Sequence, residues 1–374
     1  MNCEFTKEEN QLVTEAAACD RAMSFVLIVM LVSLRVCSSF LKCSAAMVNS
    51  GITSSASASG LSALGTRKEL LALDFDGVLC KSDGESSYSS IIAAREQWPD
   101  ECTIEYSFEF NRVRRYISEL RPVIETGYEN MILVRYILER LRVDGICDVD
   151  SGCTIDTTPL LTEWCPEMRD ELITRYNTDK ETLIYMFGHI RDRIIEERYQ
   201  FWVELNEIYP FVAEHFTRER LQETGKKLDY CIVTSKQGRF AKSILNYFNI
   251  DPPKDEQLYD LENPMGAKPR VLLSLLAGLD TRAKPEEIEA AVSGETLKAI
   301  QENGQEVPLI HFVEDRWQAL QAVMKNDLLK PHCKLYLVDY GYNTQAERDA
   351  ALACPDVEVI DGKGLVSLLH KFVR

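Results

Sequence analysis

After the apolar run Leu70-Leu71-Ala72-Leu73 the chain reads Asp74-Phe75-Asp76-Gly77, with two carboxylates at alternate positions. Alternate side chains of an extended chain point the same way, so Asp74 and Asp76 converge on one small volume at a strand's carboxyl end. Like charges held that closely require a counter-charge. The pattern therefore predicts a magnesium site with chemistry attached. Two simpler readings compete with it. A calcium loop laid over Asp74 to Glu85 places acids at its first, third and last positions, but it needs a glycine at Leu79 and a ligand at Val78. Asp76-Gly77 also suits a turn that merely ends a strand.

Three more polar signals follow in order. The apolar run Cys231-Ile232-Val233 ends in Thr234-Ser235-Lys236; Gly266-Ala267-Lys268-Pro269 opens a helix-like segment; Ile310-His311-Phe312-Val313 ends in Glu314-Asp315. A hydroxyl, a lysine and an acidic pair suit phosphoryl transfer at a nucleophilic aspartate. Charge builds on the equatorial oxygens in that transition state, and fixed donors plus a metal stabilise it.

These motifs must be carried by short buried strands. Leu70 to Phe75, Tyr230 to Thr234, Leu309 to Val313 and Lys334 to Val338 are apolar runs that end in polar residues, with Gln257 to Tyr259 and Val357 to Ile360 as weaker examples. Helical patterns such as Phe240 to Tyr247 and Arg270 to Leu276 separate them. The fold class expected is α/β, a doubly wound Rossmann-like parallel sheet with its site at the carboxyl ends of the strands. The stretch from Asp74 to Thr234 is too long for one crossover and reads as helical over Phe108 to Leu120, Tyr128 to Leu141, Pro166 to Tyr176 and Asp179 to Asn206. It is expected to form an inserted all-helical cap over residues 84–209, hinged at Ser82-Asp83-Gly84 and Tyr209-Pro210, with the core formed by 69–83 and 210–374. A smaller acidic stretch, Arg282 to Glu306, reads as a solvated surface helix.

With these motifs in order, the mature chain resembles the haloacid dehalogenase-like (HAD) hydrolase superfamily, and within it is similar to a plastid-type branch. The helical insertion matches the cap that many members carry after the first motif. The resemblance implies a magnesium-dependent phosphatase acting on a small phosphorylated metabolite. In it Asp74 attacks phosphorus to form an aspartyl-phosphate, while Asp76 protonates the leaving oxygen and then activates water. It further implies magnesium held by the carboxylates of Asp74 and Asp315 and the carbonyl of Asp76, with Glu314 as helper. Thr234 contacts a phosphoryl oxygen and Lys268 neutralises charge on the nucleophile and the transferred group. The expected metal set is thus Asp74, Asp76, Asp315 and Glu314, and the expected substrate-binding set is Thr234, Ser235, Lys268, Arg121 and Tyr128. Phosphomutase or other phosphoryl transfer, and a degenerate binding protein of the same fold, are the alternatives.

Three departures from the family pattern matter. Lys81 stands where many members have an acid, and Ala319 stands where the last motif often continues with one. Ala-Lys-Pro also occurs twice, so Lys284 competes with Lys268; Lys268 is preferred because it follows the third strand directly and Pro269 suits a helix's first turn. Within the cap, Arg121 to Glu129 breaks between two helices and concentrates Arg121, Glu125 and Tyr128 beside Gly127. It is either a recognition loop or an ordinary connection capped by Thr126. The five histidines show no ligand spacing.

The formal charge of −17 and the lack of a basic patch exclude a nucleic-acid partner. The twelve cysteines include no CxxC pair and read as reduced thiols, with Cys231 in the core. From Arg21 to Lys68 the chain lacks Asp and Glu and is rich in serine, as in an organellar transit peptide over residues 1–68, most simply for a plastid. Ala22 to Leu34 is shorter than the roughly 20 residues of a spanning helix, so no membrane insertion of the mature protein is expected. Residues 23–46 could instead act as a secretory signal, and Met23 is a candidate start, because the acids before it suit neither leader.

Overall fold

A computed structural model describes residues 68–104, 107–143, 155–260, 268–277 and 307–374. The leader, the Arg282 to Glu306 segment and Lys284 lie outside the described residues. Apart from Ser107, the described residues belong to one compact unit.

Strand β1 (Glu69–Leu73) leads through β2 (Cys80–Lys81) into helices α1 (Asp83–Gln97), α2 (Ser107–Glu119), α3 (Glu129–Val143), α4 (Leu160–Glu163), α5 (Pro166–Arg175) and α6 (Lys180–Glu204). The chain returns through β3 (Glu207–Ile208) to α7 (Pro210–Phe216), α8 (Arg218–Glu223), β4 (Cys231–Val233), α9 (Gly238–Tyr247), β5 (Leu258–Tyr259) and α10 (Lys268–Leu276). It ends with β6 (Leu309–Glu314), α11 (Trp317–Met324), β7 (Cys333–Val338), α12 (Gln345–Leu352), β8 (Val357–Ile360) and α13 (Gly362–His370). Six strands form one sheet in the order β5-β4-β1-β6-β7-β8, and every pairing is parallel. This is the doubly wound α/β fold expected from the alternation of apolar runs and helices.

The strands bury both faces, which explains why they read as continuous apolar runs. Leu71 and Leu73 of β1 enter one hydrophobic cluster, and Leu70 and Ala72 enter another. β4, β6 and β7 alternate in the same way: Ile232, Val313 and Val338 join the first cluster, while Val233, Phe312 and Leu337 join the second. The first cluster continues into the helical insertion through residues such as Ile91, Val113, Ile132 and Trp202. Chain order reverses beside β1, where β4 and β6 flank it, and a crevice opens at the carboxyl ends of the three strands.

Two details of the insertion differ from expectation. Its base is a short antiparallel pair, Cys80 opposite Ile208 and Lys81 opposite Glu207, too brief to leave a periodic signal. Asp83 and Gly84, expected in a hinge, are the first residues of α1. This helix escapes detection because its buried face carries Ser86, Ser87, Ser89 and Ser90 in place of apolar residues. Three of these hydroxyls are satisfied by carbonyls one turn back, Ser86 on Ser82, Ser87 on Gly84 and Ser90 on Ser87. All six described cysteines are free, and Cys231 is buried on β4. Among the described residues no helix is long and apolar enough to cross a membrane.

Candidate active site

β1 delivers Asp74 to the crevice with its main chain already paired, the N–H donating to the Val313 carbonyl at 3.0 Å. The chain then turns sharply: Gly77 takes φ +81°, and the Leu79 and Cys80 N–H groups both donate to the Phe75 carbonyl. β6 delivers Glu314 and Asp315 beside it. Asp74, Glu314 and Asp315 are buried, and one carboxylate oxygen from each lies within 4.8 Å of the others.

Lys268, the first residue of α10, faces this cluster. Its ammonium lies 3.1 Å from Asp74 Oδ2 and also donates to Glu314 Oε1. Burial opposes the lysine's charge, but Asp74 and Glu314 outweigh it and push its pKa above the ordinary lysine value. For Asp74 the balance is reversed. Burial, Glu314 and Asp76 raise its pKa to about 7 despite Lys268. Burial, Glu314 and Asp74 hold Asp315 well above the carboxylate range. One ammonium does not satisfy three packed acids, and that unmet demand for positive charge fits a hard divalent cation with oxygen ligands.

Glu314 is the least available of the three. Its Oε2 accepts the N–H groups of Asp315 and Arg316 at 3.0 and 3.1 Å, and its Oε1 takes Lys268. It therefore orients Lys268 and the turn after β6. The Asp76 carboxylate lies outside the acidic cluster, and the part expected of Asp76 in the metal set is its main-chain carbonyl. Its Oδ1 lies 3.4 Å from Lys236 Nζ and its Oδ2 3.9 Å from Arg121 Nη2. Asp74 and Asp76, expected to converge on one small volume, thus meet different partners.

The cluster opens into a cavity of about 310 Å³, whose lining includes Asp74, Asp76, Arg121, Thr234, Ser235 and Lys268. Thr234 follows β4, its N–H donates to the Tyr259 carbonyl and its hydroxyl accepts the Lys236 N–H at 3.1 Å. Arg121 enters from the insertion. Its guanidinium stacks over Tyr342 at 4.5 Å and its pKa is raised, because Tyr342, Asp76 and Asp315 outweigh the effect of burial. A second cavity of about 140 Å³ shares Asp76, Arg121 and Ser235 with the first and reaches Tyr128, Lys180, Arg191 and Lys236. Tyr128 therefore lines the second cavity.

The loop from Arg121 to Glu129 joins α2 to α3 and borders both cavities. Glu129, the first residue of α3, accepts the Thr126 N–H and hydroxyl on its Oε1, and Glu125 and Thr126 line both cavities. The loop is held to the sheet side by Arg316, which donates to the Ile124 carbonyl, and by Ser235, whose hydroxyl donates to the Glu125 carbonyl at 3.3 Å.

Several contributors went unread in the sequence. Tyr342 and Asn343 follow β7. The Tyr342 N–H donates to Asp315 Oδ2 at 2.8 Å, and the Asn343 amide donates to the Asp315 and Val338 carbonyls at 2.7 and 2.8 Å. Their signal, an apolar strand ending in Asp339-Tyr340-Gly341-Tyr342-Asn343, matches that of the other three motifs. Lys236, two residues past Thr234, is likewise part of the site.

No family model matches the sequence, and neither does any curated protein. Among solved structures the chain is similar to a predicted phosphatase from Clostridium acetobutylicum, with 13% identity and a TM-score of 0.40 over 82% of this chain and 99% of that one. It is also similar to a predicted phosphoglycolate phosphatase from Haemophilus somnus 129PT, with 16% identity and a TM-score of 0.40 over 81% and 98%. A third is a HAD family hydrolase from Deinococcus radiodurans R1 with bound phosphate and sodium, with 13% identity and a TM-score of 0.32 over 82% and 96%.

Proposed function

We propose that this chain is a HAD-like, magnesium-dependent phosphatase that hydrolyses the monoester of a small phosphorylated metabolite through an aspartyl-phosphate at Asp74. The observation that carries the reading is Asp74 at the end of β1, 3.1 Å from Lys268, inside a buried acidic cluster and open to a cavity that Thr234 and Asp76 share. The carboxylates of Asp74 and Asp315 and the main-chain carbonyl of Asp76 would hold Mg²⁺, whose charge would neutralise the phosphoryl oxygens.

The remaining steps use the chain's own groups. Asp74 forms a bond to phosphorus as the ester P–O bond breaks, and the Asp76 carboxyl gives its proton to the departing oxygen. Asp76 then takes a proton from the water that attacks the acyl phosphate, which restores Asp74 and releases phosphate. Thr234 and Lys268 donate to the transferred oxygens. The second cavity supports a second reading, transfer to a hydroxyl of a bound sugar phosphate, because it offers space for an acceptor beside Asp76 in place of water.

Phosphate release from a panel of phosphate esters tests both. The expected result is magnesium-dependent release that Asp74→Asn abolishes and that yields free phosphate without an isomerised sugar phosphate. Turnover unchanged by Asp74→Asn would remove the nucleophile assignment. A folded protein inert on the whole panel would instead favour a binding role.

A further inference from the structure

The side chain of Lys236 is only 2% exposed, and its ammonium sits between two carboxylates, 3.4 Å from Asp76 Oδ1 and 3.6 Å from Glu85 Oε2. Asp76 Oδ1 is buried and accepts no hydrogen bond from the described residues, so Lys236 is its nearest cationic neighbour. Burying an ammonium costs several kcal/mol unless opposite charge meets it, and here two acids do.

Glu85 has little freedom of its own. It lies on α1, fully buried, and accepts from Arg191 Nε at 2.8 Å and Nη2 at 2.7 Å, from Trp202 Nε1 at 3.1 Å and from the Ser89 hydroxyl at 2.8 Å. Arg191 is fixed in turn, with its guanidinium 4.0 Å over the Phe187 ring. Arg191 and Trp202 both come from α6. A buried chain of charges therefore runs from the helical insertion, through Arg191 and Glu85, to Lys236 on the loop after β4, and ends on Asp76 after β1.

We infer that Lys236 is a positioning residue: held by Glu85, it fixes the Asp76 carboxyl by Oδ1 and leaves Oδ2, on the Arg121 side, to meet the leaving oxygen. The insertion thereby sets the aim of the general acid as well as roofing the site. The inference rests on the reading of Asp76 as acid and base given above. A lysine that only neutralised Glu85 would affect every substrate alike. One that aims the acid matters most where the leaving oxygen needs a proton.

The test is kcat/KM, which reports the step that expels the leaving group, on an alkyl phosphate and on an aryl phosphate with an acidic phenol. A positioned general acid contributes about 10²–10⁴-fold, so Lys236→Met is expected to lose on the order of 10²-fold on the alkyl ester and under about tenfold on the aryl ester. Glu85→Gln is expected to shift the ratio the same way by a smaller factor, and it decides the matter if Lys236→Met does not fold. Asp76→Asn, measured alongside, is expected to show the leaving-group dependence in full. If Asp76→Asn shows it and both other folded variants lose equally on the two esters, the role of Lys236 is overturned alone. If Asp76→Asn shows no such dependence, the reading of Asp76 itself fails.

Discussion

Gly77 passes so close to Asp315 that a Cβ on it would lie 1.9 Å from Asp315 Oδ2. Its φ of +81° is also one that L side chains rarely adopt. The turn that carries Asp76 past the acidic cluster thus depends on the missing side chain. Gly77→Ala is expected to cost roughly 1–3 kcal/mol of stability and to abolish turnover by displacing Asp315. Chemical denaturation and phosphate release measured on the same preparation check this; a variant as stable and active as the parent contradicts it.

Asn343 stitches the end of β6 to the end of β7 through the Asp315 and Val338 carbonyls. Groups that orient a metal ligand typically contribute 10–100-fold in metal affinity. Asn343→Ala is therefore expected to raise the magnesium concentration for half-maximal activity by about tenfold, with a smaller change in kcat at saturating metal. A magnesium titration of both proteins decides this.

Lys268 and Lys284 occur in the same tripeptide, but Lys268 faces Asp74 and Glu314. Lys268→Met is expected to lower kcat by about 10²–10³-fold, the scale of removing one preorganised charge from a transition state. Lys284→Met is expected to leave kcat within about twofold, well short of that scale. The opposite pattern in steady-state kinetics reassigns the lysine.

Burial alone would raise the pKa of Glu85, yet Arg191 and Lys236 bring it down to about 2. A depressed folded-state value means that the interaction stabilises the protein above the unfolded carboxylate pKa near 4.3 and is lost as pH falls toward 2. The stability gap between the parent and Glu85→Gln is expected to shrink by roughly 3 kcal/mol between pH 6 and pH 2. Denaturant titrations across that range check it, and a gap independent of pH contradicts it.

The six core strands could be read in the sequence because strands buried on both faces have no polar alternation to hide them. Three of the four site motifs could be read because each begins where an apolar run stops. The same reasoning applied to Val338 would have brought in Tyr342 and Asn343. What the sequence hid is of another kind. α1 buries serines whose hydroxyls bond to its own carbonyls, so no apolar stripe marks it. β2 and β3 are two residues each. The Glu85, Arg191 and Lys236 network joins three distant segments, and nothing local in any of them requires a charged partner. Strand geometry predicts that Asp74 and Asp76 converge, but it does not show that Lys236 and Arg121 meet the Asp76 carboxylate outside the acidic cluster.

Trapping the covalent intermediate tests the central claim most directly. Borohydride reduces an acyl phosphate of aspartate to homoserine, so protein quenched with it during turnover of an aryl phosphate and then digested should carry homoserine at position 74. Magnesium-dependent turnover without modification at Asp74, or with the modification on another acid, would contradict the account.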